Sequence, residues 1–491
     1  MGVIAKQSGW ASVAIGAGLV LGAVNTMVVL PRAFEGAEAQ WGLIRILTSW
    51  GMILSSLAVL GAPSAIMRFL SRFPSEERPG ILKTMLLLPA GGLAIMLAVM
   101  LVAGDRILPL MDAERGKLLS QHLFGFMAIT TSMCCLHIIR AIVNQQLKSA
   151  IIAWVDEFWQ KGSYLILGIL LLNKIIDFQL FIWGYIASWG VSSIILFIQA
   201  LQMPMRVAGK YRWDQWKSIV NFSSFSVLAG AAAIIATHLD YVMIGMFLGL
   251  AEVPIYTIGY FVGSVVGMPG RATQKILGAV TADKIHSPKK SELKALNRAS
   301  ARVNFLLSAS IMAGIWAGFQ PFEMLLPAGY RGIEAIFICI GLHRLITSFN
   351  LVNNQILGYS DAYRIVLPLN LGLVLVTVAT NYLFLVVFEW GLLGAALATL
   401  GTAIWNNSWR LWIVWRRFQT HPFSWNLLLI SAISIISAYS FHWPVGTMGH
   451  PIVGAISQGI LASTTTFGLC YVLGCFPELR EGLKRQLSWW P

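Results

Sequence analysis

Apolar stretches of membrane-spanning length, punctuated by glycine, proline and charge, recur along the whole chain. A helix crosses the hydrocarbon of a bilayer with about 20 mainly apolar residues. Fourteen stretches reach that length: 10–30, 41–67, 81–103, 119–147, 150–172, 177–201, 217–249, 252–280, 299–322, 331–357, 361–388, 390–415, 424–443 and 451–474. Several exceed 25 residues, which implies tilt or extension beyond the bilayer. A water-soluble chain of 491 residues cannot wet its surface with 57% hydrophobic and 11% charged residues and a mean hydropathy of +0.71. The expected class is an all-α polytopic membrane protein. The first stretch follows one lysine, and no small-residue cleavage site precedes a soluble domain, so it reads as a membrane helix rather than a leader. Cys134, Cys135, Cys339, Cys470 and Cys475 sit in apolar stretches without metal spacing. They read as small buried hydrophobes.

A net charge of +14 raises the question of nucleic acid. Its distribution answers differently. With the N-terminus in the cytoplasm, 27 of the 35 lysines and arginines fall at cytoplasmic ends, including the eight from Arg271 to Arg302. That is the bias of the positive-inside rule, and it needs no nucleic acid. An even number of spans then leaves both termini in the cytoplasm.

The chain also repeats. FEGAEAQWGLI (Phe34–Ile44) matches FLGLAEVPIYTI (Phe247–Ile258), with Gly36 and Gly249 at an offset of 213. NQQLKSA (Asn144–Ala150) matches NQILGYS (Asn354–Ser360) at an offset of 210. Spans one to six thus recur as spans seven to twelve, in the same direction, with two spans added. The implied layout is an N-lobe at 1–201, a cytoplasmic linker at 202–216, a C-lobe at 217–417, and extra helices with a cytoplasmic tail at 418–491. Transporters place their substrate site between such halves.

Both fourth helices carry a polar stripe. His137, Arg140, Asn144 and Lys148 share one face of the first, and His343, Thr347, Asn350 and Asn354 share one face of the second. Arg140 corresponds to Asn350, and Asn144 to Asn354. Such stripes line a wet cavity, or bond between helices, or mark a helix end leaving the membrane.

Certain segments, in order, resemble a known family. They are KQSGW, LPRAFEGAEAQWGLIRIL, LAVLGAPSAIMRF, LDYVMIGMFLGLAEVPIYTIGYFVGSVVGMPGRA, LLPAGYRGIEAIFICIGL, NQILGYSDAYR and EWGLLGAALATLGTAIWN. Together they look like the Wzx-type polysaccharide flippases of the multidrug/oligosaccharidyl-lipid/polysaccharide (MOP) exporter superfamily. The resemblance runs along essentially the whole chain. It departs at Pro254, where the family commonly has glycine, and a kink is expected there. It implies that an undecaprenyl-pyrophosphate-linked oligosaccharide crosses the bacterial cytoplasmic membrane by alternating access, for surface polysaccharides such as O-antigen. Proton or sodium coupling is implied and no cofactor. Partners would be the lipid-linked oligosaccharide, membrane lipids and other polysaccharide assembly proteins. The chain would be a carrier, not an enzyme.

An anionic pyrophosphate in hydrocarbon needs cations and hydrogen-bond donors, and the planar fork of arginine suits it. Arg45 lies inside span two among apolar neighbours, so it either faces a cavity or snorkels to the interface. Arg271 and Lys275, one turn apart after the Gly267–Gly270 break, either hold phosphate or are flanking positive charge. Arg298 and Arg302 share that spacing at the start of span nine. Arg140 and Arg344 come from the two matching fourth helices. Asn144, Asn350 and Asn354, with Asn353 and Gln355 nearby, offer neutral groups for sugar hydroxyls. Asp156 is a candidate for ion coupling or for pairing with Arg140, while Glu157 and Lys161 can pair at i,i+4. Asp240 is a candidate for coupling or for a salt bridge to Arg45. Trp41, Tyr256 and Tyr260 either stack on sugars or serve an interfacial belt. The segment Gly391–Ala396 reads as small-residue helix packing.

A membrane polymerase or glycosyltransferase would need a substantial far-side loop bearing acids or arginines, and those loops are short here. A multidrug exporter of the same superfamily would line its cavity with acids or aromatics for cations. A lipid II flippase would be more densely cationic in the N-lobe. No metal site is expected.

Overall fold

The computed structural model describes residues 2–74, 76–107, 122–146, 148–201, 212–285, 287, 290–442 and 450–477. The expected linker falls outside the described residues up to position 211, as does the expected tail from 478 onward. Among the described residues, each of the fourteen apolar stretches is mainly helical. The chain is an all-α polytopic membrane protein, and contacts divide it into two compact units, 1–254 and 255–491.

In the first unit, α1 (Gly2–Ala23) runs through a π-helical turn at Val24–Val29 into a short turn at Leu30–Ala33. Then follow α2 (Glu38–Ala58), α3 (Ala62–Phe69), α4 (Arg78–Ile107) and α5 (Leu123–Gln145). Next come α6 (Ser149–Ala153), a π-helical turn at Trp154–Trp159, α7 (Gln160–Leu172), α8 (Phe178–Leu201) and α9 (Trp216–Phe247). α2 is the central helix, packed against α5 and α9. Arg212 pins the start of α9 to the start of α4. Its guanidinium bonds Asp214 at 3.0 Å and pairs with Glu77, and its backbone N–H donates to Thr84 Oγ1 at 2.9 Å. The bonds to Asp214 and then Glu77 raise the Arg212 pKa.

α10 (Glu252–Val265) begins at the end of the first unit and leads into the second. After it come α11 (Met268–Ile285), α12 (Lys290–Ala317), α13 (Glu334–Phe349) and α14 (Leu351–Tyr359). α15 (Val366–Tyr382) ends in a π-helical turn at Leu383–Val387, and α16 (Gly391–Phe418), α17 (Trp425–Phe441) and α18 (Pro451–Val472) complete the chain. The two added helices, α17 and α18, pack on each other and on α12.

Nine helices among the described residues are long and apolar enough to cross a membrane, and a tenth crossing is available if α10 and α11, bent by 57°, count together. The other expected spans are helical but interrupted, shorter or diluted by polar residues. α6 and α7 are separated by the π turn, α17 has 17 residues, and α12 begins with a charged segment. Large apolar side chains such as Ile95, Ile166, Leu375 and Val472 are exposed, as helices bathed in lipid require. All five cysteines are free and four are buried.

The repeat is visible in local geometry. Gly36 and Gly249 both adopt positive φ, 77° and 128°, in the turn before a helix that opens with glutamate, Glu38 or Glu252. The second helix of each repeat is broken, at Leu60–Gly61 in the first and at Val266–Gly267 in the second. The bend expected at Pro254 does not occur there. Pro254 lies in the first turn of α10, where its missing N–H has no intrahelical partner to lose.

α12 and α18 approach backbone to backbone. A Cβ placed on Gly318 would stand 2.3 Å from the Ala455 carbonyl oxygen, and one on Gly314 would stand 2.6 Å from that of Gly459. Small residues permit this approach, and dispersion then holds the pair where lipid offers no hydrophobic drive. Gly318→Ala should cost about 1–3 kcal/mol through overpacking. A clear fall in the apparent Tm of the purified protein is expected. Gly468→Ala is the control, because its Cβ meets open space. Equal melting of the two variants would show that the contact is not tight.

Candidate functional site

Helix α2 carries Arg45 among buried neighbours, with Trp41, Gly42, Thr48 and Ser49 on the adjoining turns. The guanidinium carbon stands 4.3 Å from the centroid of the Tyr241 ring on α9. Arg45 Nε meets no acceptor among the described residues. An aromatic face attracts a cation by about 0.5–2 kcal/mol and leaves its N–H groups to bond elsewhere. The surroundings are built from rings. Tyr164 and Tyr185 have centroids 4.8 Å apart, and the Tyr185 hydroxyl is 3.0 Å from Thr48 Oγ1, one turn beyond Arg45. Asp240 is buried beside Tyr241 on α9. His238 Nδ1 lies 3.3 Å from Ser49 Oγ.

The stripe on α5 divides. His137, Arg140 and Asn144 line a cleft of about 500 Å³, facing Pro63, Met67 and Arg68 of α3. Arg68 stands 4.3 Å over the Phe222 ring. Lys148 does not share this cleft, because α5 ends at Gln145 and Lys148 is the cap of α6. Arg140 Nη2 donates to Asp156 Oδ1 at 2.5 Å, so of the two roles open to Asp156 in the sequence, pairing is realised. Glu157 and Lys161 form the expected i,i+4 pair at 2.5 Å. Asp156 reaches Arg140 from the π-helical turn at Trp154–Trp159. Such turns concentrate at functional positions.

In the second unit the matching stripe is interrupted. α13 stops at Asn350, whose backbone is not helical (φ −93°, ψ 10°). Asn350 is buried and its Oδ1 accepts from Asn353 Nδ2 at 2.8 Å. Asn353 Oδ1 in turn accepts from Asn297 Nδ2 at 2.8 Å. These residues take the interhelical alternative. Asn354 Oδ1 lies 3.5 Å from Arg410 Nη1, and Arg410 also donates to Asn370 Oδ1 at 2.8 Å and Asn406 Oδ1 at 3.0 Å. Sequence reading passed over Arg410 as flanking charge. The i,i+4 spacing of Asn406 and Arg410 was the available signal.

Arg344 donates to the Tyr260 hydroxyl at 2.7 Å. Arg271 donates to the Ser264 carbonyl at 3.0 Å, capping the end of α10 across the bend. The side chain of Lys275 lies outside the described residues. Trp41 and Tyr256 are fully buried. Trp41 stacks on Phe34 at 6.2 Å, and the Tyr256 hydroxyl is 3.1 Å from Thr399 Oγ1, so neither is presented to a sugar or to an interface. Within Gly391–Ala396, Gly394, Ala395 and Ala396 are buried, whereas Leu393 is exposed and Gly391 borders open space.

One contrast organises these sites. Arg45, Arg344 and Arg410 make their described contacts with neutral groups, tyrosines or asparagines. Arg140 contacts a carboxylate.

No protein-family model and no curated protein matches the sequence. Solved structures do match. The lipid II flippase MurJ in an inward closed conformation superposes with a TM-score of 0.74 at 16% identity, over 94% of this chain and 98% of that one. An inward-facing multidrug resistance MATE family transporter of the MOP superfamily gives 0.60 at 15% identity, over 84% and 95%. A MOP superfamily transporter from Pyrococcus furiosus gives 0.54 at 13% identity, over 85% and 95%. The chain has the MOP transporter fold.

The Arg140–Asp156 pair is tested by a double-mutant cycle. Losing either partner strands the other beside α5, at about 2 kcal/mol for a charged hydrogen bond. Arg140→Ala and Asp156→Ala should each lower the apparent Tm, and the double variant should lower it by less than their sum. Strict additivity would show that the two groups do not stabilise each other.

Proposed function

We propose that this chain is a flippase that moves an undecaprenyl-pyrophosphate-linked oligosaccharide across the bacterial cytoplasmic membrane by alternating access. The observation that carries the reading is Arg45 over Tyr241. A cation held by a carboxylate has spent its charge, whereas a cation held by a ring keeps it for a ligand. Placing such an arginine inside a membrane helix is expensive, and binding an anion is what offsets it. Arg344 and Arg410 extend the pattern. A drug exporter for organic cations needs the opposite polarity.

The cleft lined by His137, Arg140 and Asn144 is the cytoplasmic approach to the substrate path in this reading. Asp240, buried beside the Arg45 ring partner, is the acid this reading assigns to proton or sodium coupling. The six-plus-six-plus-two division, cytoplasmic termini, a lipid-linked cargo and assembly partners for surface polysaccharide belong to the same reading. So does transport without covalent chemistry. The order of sequence motifs supports oligosaccharide cargo. A lipid II flippase is the second reading, favoured by the fold likeness to MurJ; it shares the pyrophosphate and differs in the sugar.

The test is leaflet translocation of fluorescent undecaprenyl-pyrophosphate oligosaccharide in proteoliposomes, read with an impermeant quencher. Arg45→Ala should slow flipping at least about tenfold, the loss of one charge-assisted contact. Arg45→Lys should restore part of the rate. Asp240→Asn should remove the response to an ion gradient. Parental flipping by Arg45→Ala would remove the main support, and efflux of organic cations in place of flipping would reassign the cargo.

A further inference from the structure

The second unit contains a cleft that the transport reading does not use. It has a volume of about 820 Å³ and opens between α12, α13 and the start of α17. One end is basic, with Arg298 and Arg302 of α12 beside His421 of the α16–α17 loop. Its remaining wall is mainly aromatic and aliphatic, with Ser424, Asn426 and Ser431 as the polar exceptions. Phe305 and Phe349 have ring centroids 6.5 Å apart, and Phe349 and Phe423 are 5.2 Å apart. No carboxylate is among the described lining residues.

The hydrogen bonding at the basic end is directional. Arg298 Nη2 lies 3.0 Å from His421 Nε2. A guanidinium only donates, so Nε2 accepts and the proton of the neutral imidazole sits on Nδ1. Burial, then the charges of Arg298 and Lys294, hold the His421 pKa below its usual value and keep the ring neutral. Arg298 Nε and Ser424 Oγ are buried and meet no protein partner among the described residues. Arg298, Arg302 and His421 together make this end of the cleft basic.

The depth of the cleft in the membrane is set by Trp425. It is 86% exposed at the first residue of an apolar helix, and Phe423 beside it is 55% exposed. Exposed indoles at helix ends sit at the level of lipid headgroups. A donor-rich basic end at that level, continued by aromatic walls, matches a phosphate followed by an acyl chain.

We propose that this cleft binds an anionic phospholipid of the surrounding bilayer, with its phosphate on Arg298, Arg302 and His421 and an acyl chain along Phe305, Phe349 and Phe423. The lipid would seat α17 against α12 from outside any transport path. This does not rest on the cargo reading, and its measurement does not involve transport.

The experiment is native mass spectrometry of the purified full chain titrated with phosphatidylglycerol, with phosphatidylcholine as the neutral control. Phosphatidylglycerol should be retained in preference. Arg298→Gln with Arg302→Gln should weaken its apparent Kd about tenfold or more, as loss of charge-assisted bonds to one phosphate predicts. Ser431→Phe, which fills the cleft and keeps both arginines, should weaken it as well. Arg331→Gln, a charge outside the cleft, should leave it unchanged. Retention unaltered in both cleft variants would overturn the proposal. So would complete displacement by inorganic phosphate, which would mark a free-anion site. Retention of undecaprenyl pyrophosphate in place of phosphatidylglycerol would overturn it too, by giving the cleft to the cargo.

Discussion

Charge inside hydrocarbon is the constraint on which the rest of this structure turns. Even by the most lenient scale an arginine at the centre of a membrane helix costs about 2.5–3.5 kcal/mol. The chain meets that cost in two ways. Near α5 it neutralises, placing Asp156 on Arg140 and Glu157 on Lys161. At Arg45, Arg344 and Arg410 it solvates without neutralising, using tyrosine rings and hydroxyls and asparagine carbonyls. The first solution fixes helices. The second leaves net positive charge in the protein, which a structural role alone does not require.

Neutral solvation also explains the amide-rich helices. Asparagine is costly in lipid unless both ends of its amide are occupied. Around Arg410, three amide carbonyls face the cation. The chain Asn350–Asn353–Asn297 ends on Thr420, with each link crossing from one helical segment to another or to the following loop. These bonds hold the short helices α13 and α14 in place on either side of their break.

The helices themselves were legible because a bilayer imposes one length and one polarity on every crossing. Fourteen stretches read as spans, and all fourteen are mainly helical among the described residues. What escaped the reading was discontinuity. The break at Asn350 has no glycine or proline to announce it, and neither do the π-helical turns at Trp154–Trp159 and Leu383–Val387. A break changes which face a residue presents, so the stripe of His343, Thr347, Asn350 and Asn354, drawn on a continuous helix, loses its register at its third member. The stripe on α5 survived through Asn144 because that helix is unbroken to Gln145.

Partners were harder to read than positions. Arg140 with Asp156 was available as a pair because both lie at the ends of consecutive spans, where a short loop brings them together. Arg45 with Tyr241 joins residues 196 positions apart, and tyrosine has no sequence mark that distinguishes a cation platform from an interfacial belt. The same holds for His421. It is an isolated histidine in a loop, and only the fold shows that it takes a hydrogen bond from Arg298 at the end of a cleft. A lone basic residue near a membrane face is ambiguous in sequence between flanking charge and ligand. What resolves it is whether its partner in the fold consumes the charge, as Asp156 does, or only orients it, as His421 and Tyr241 do.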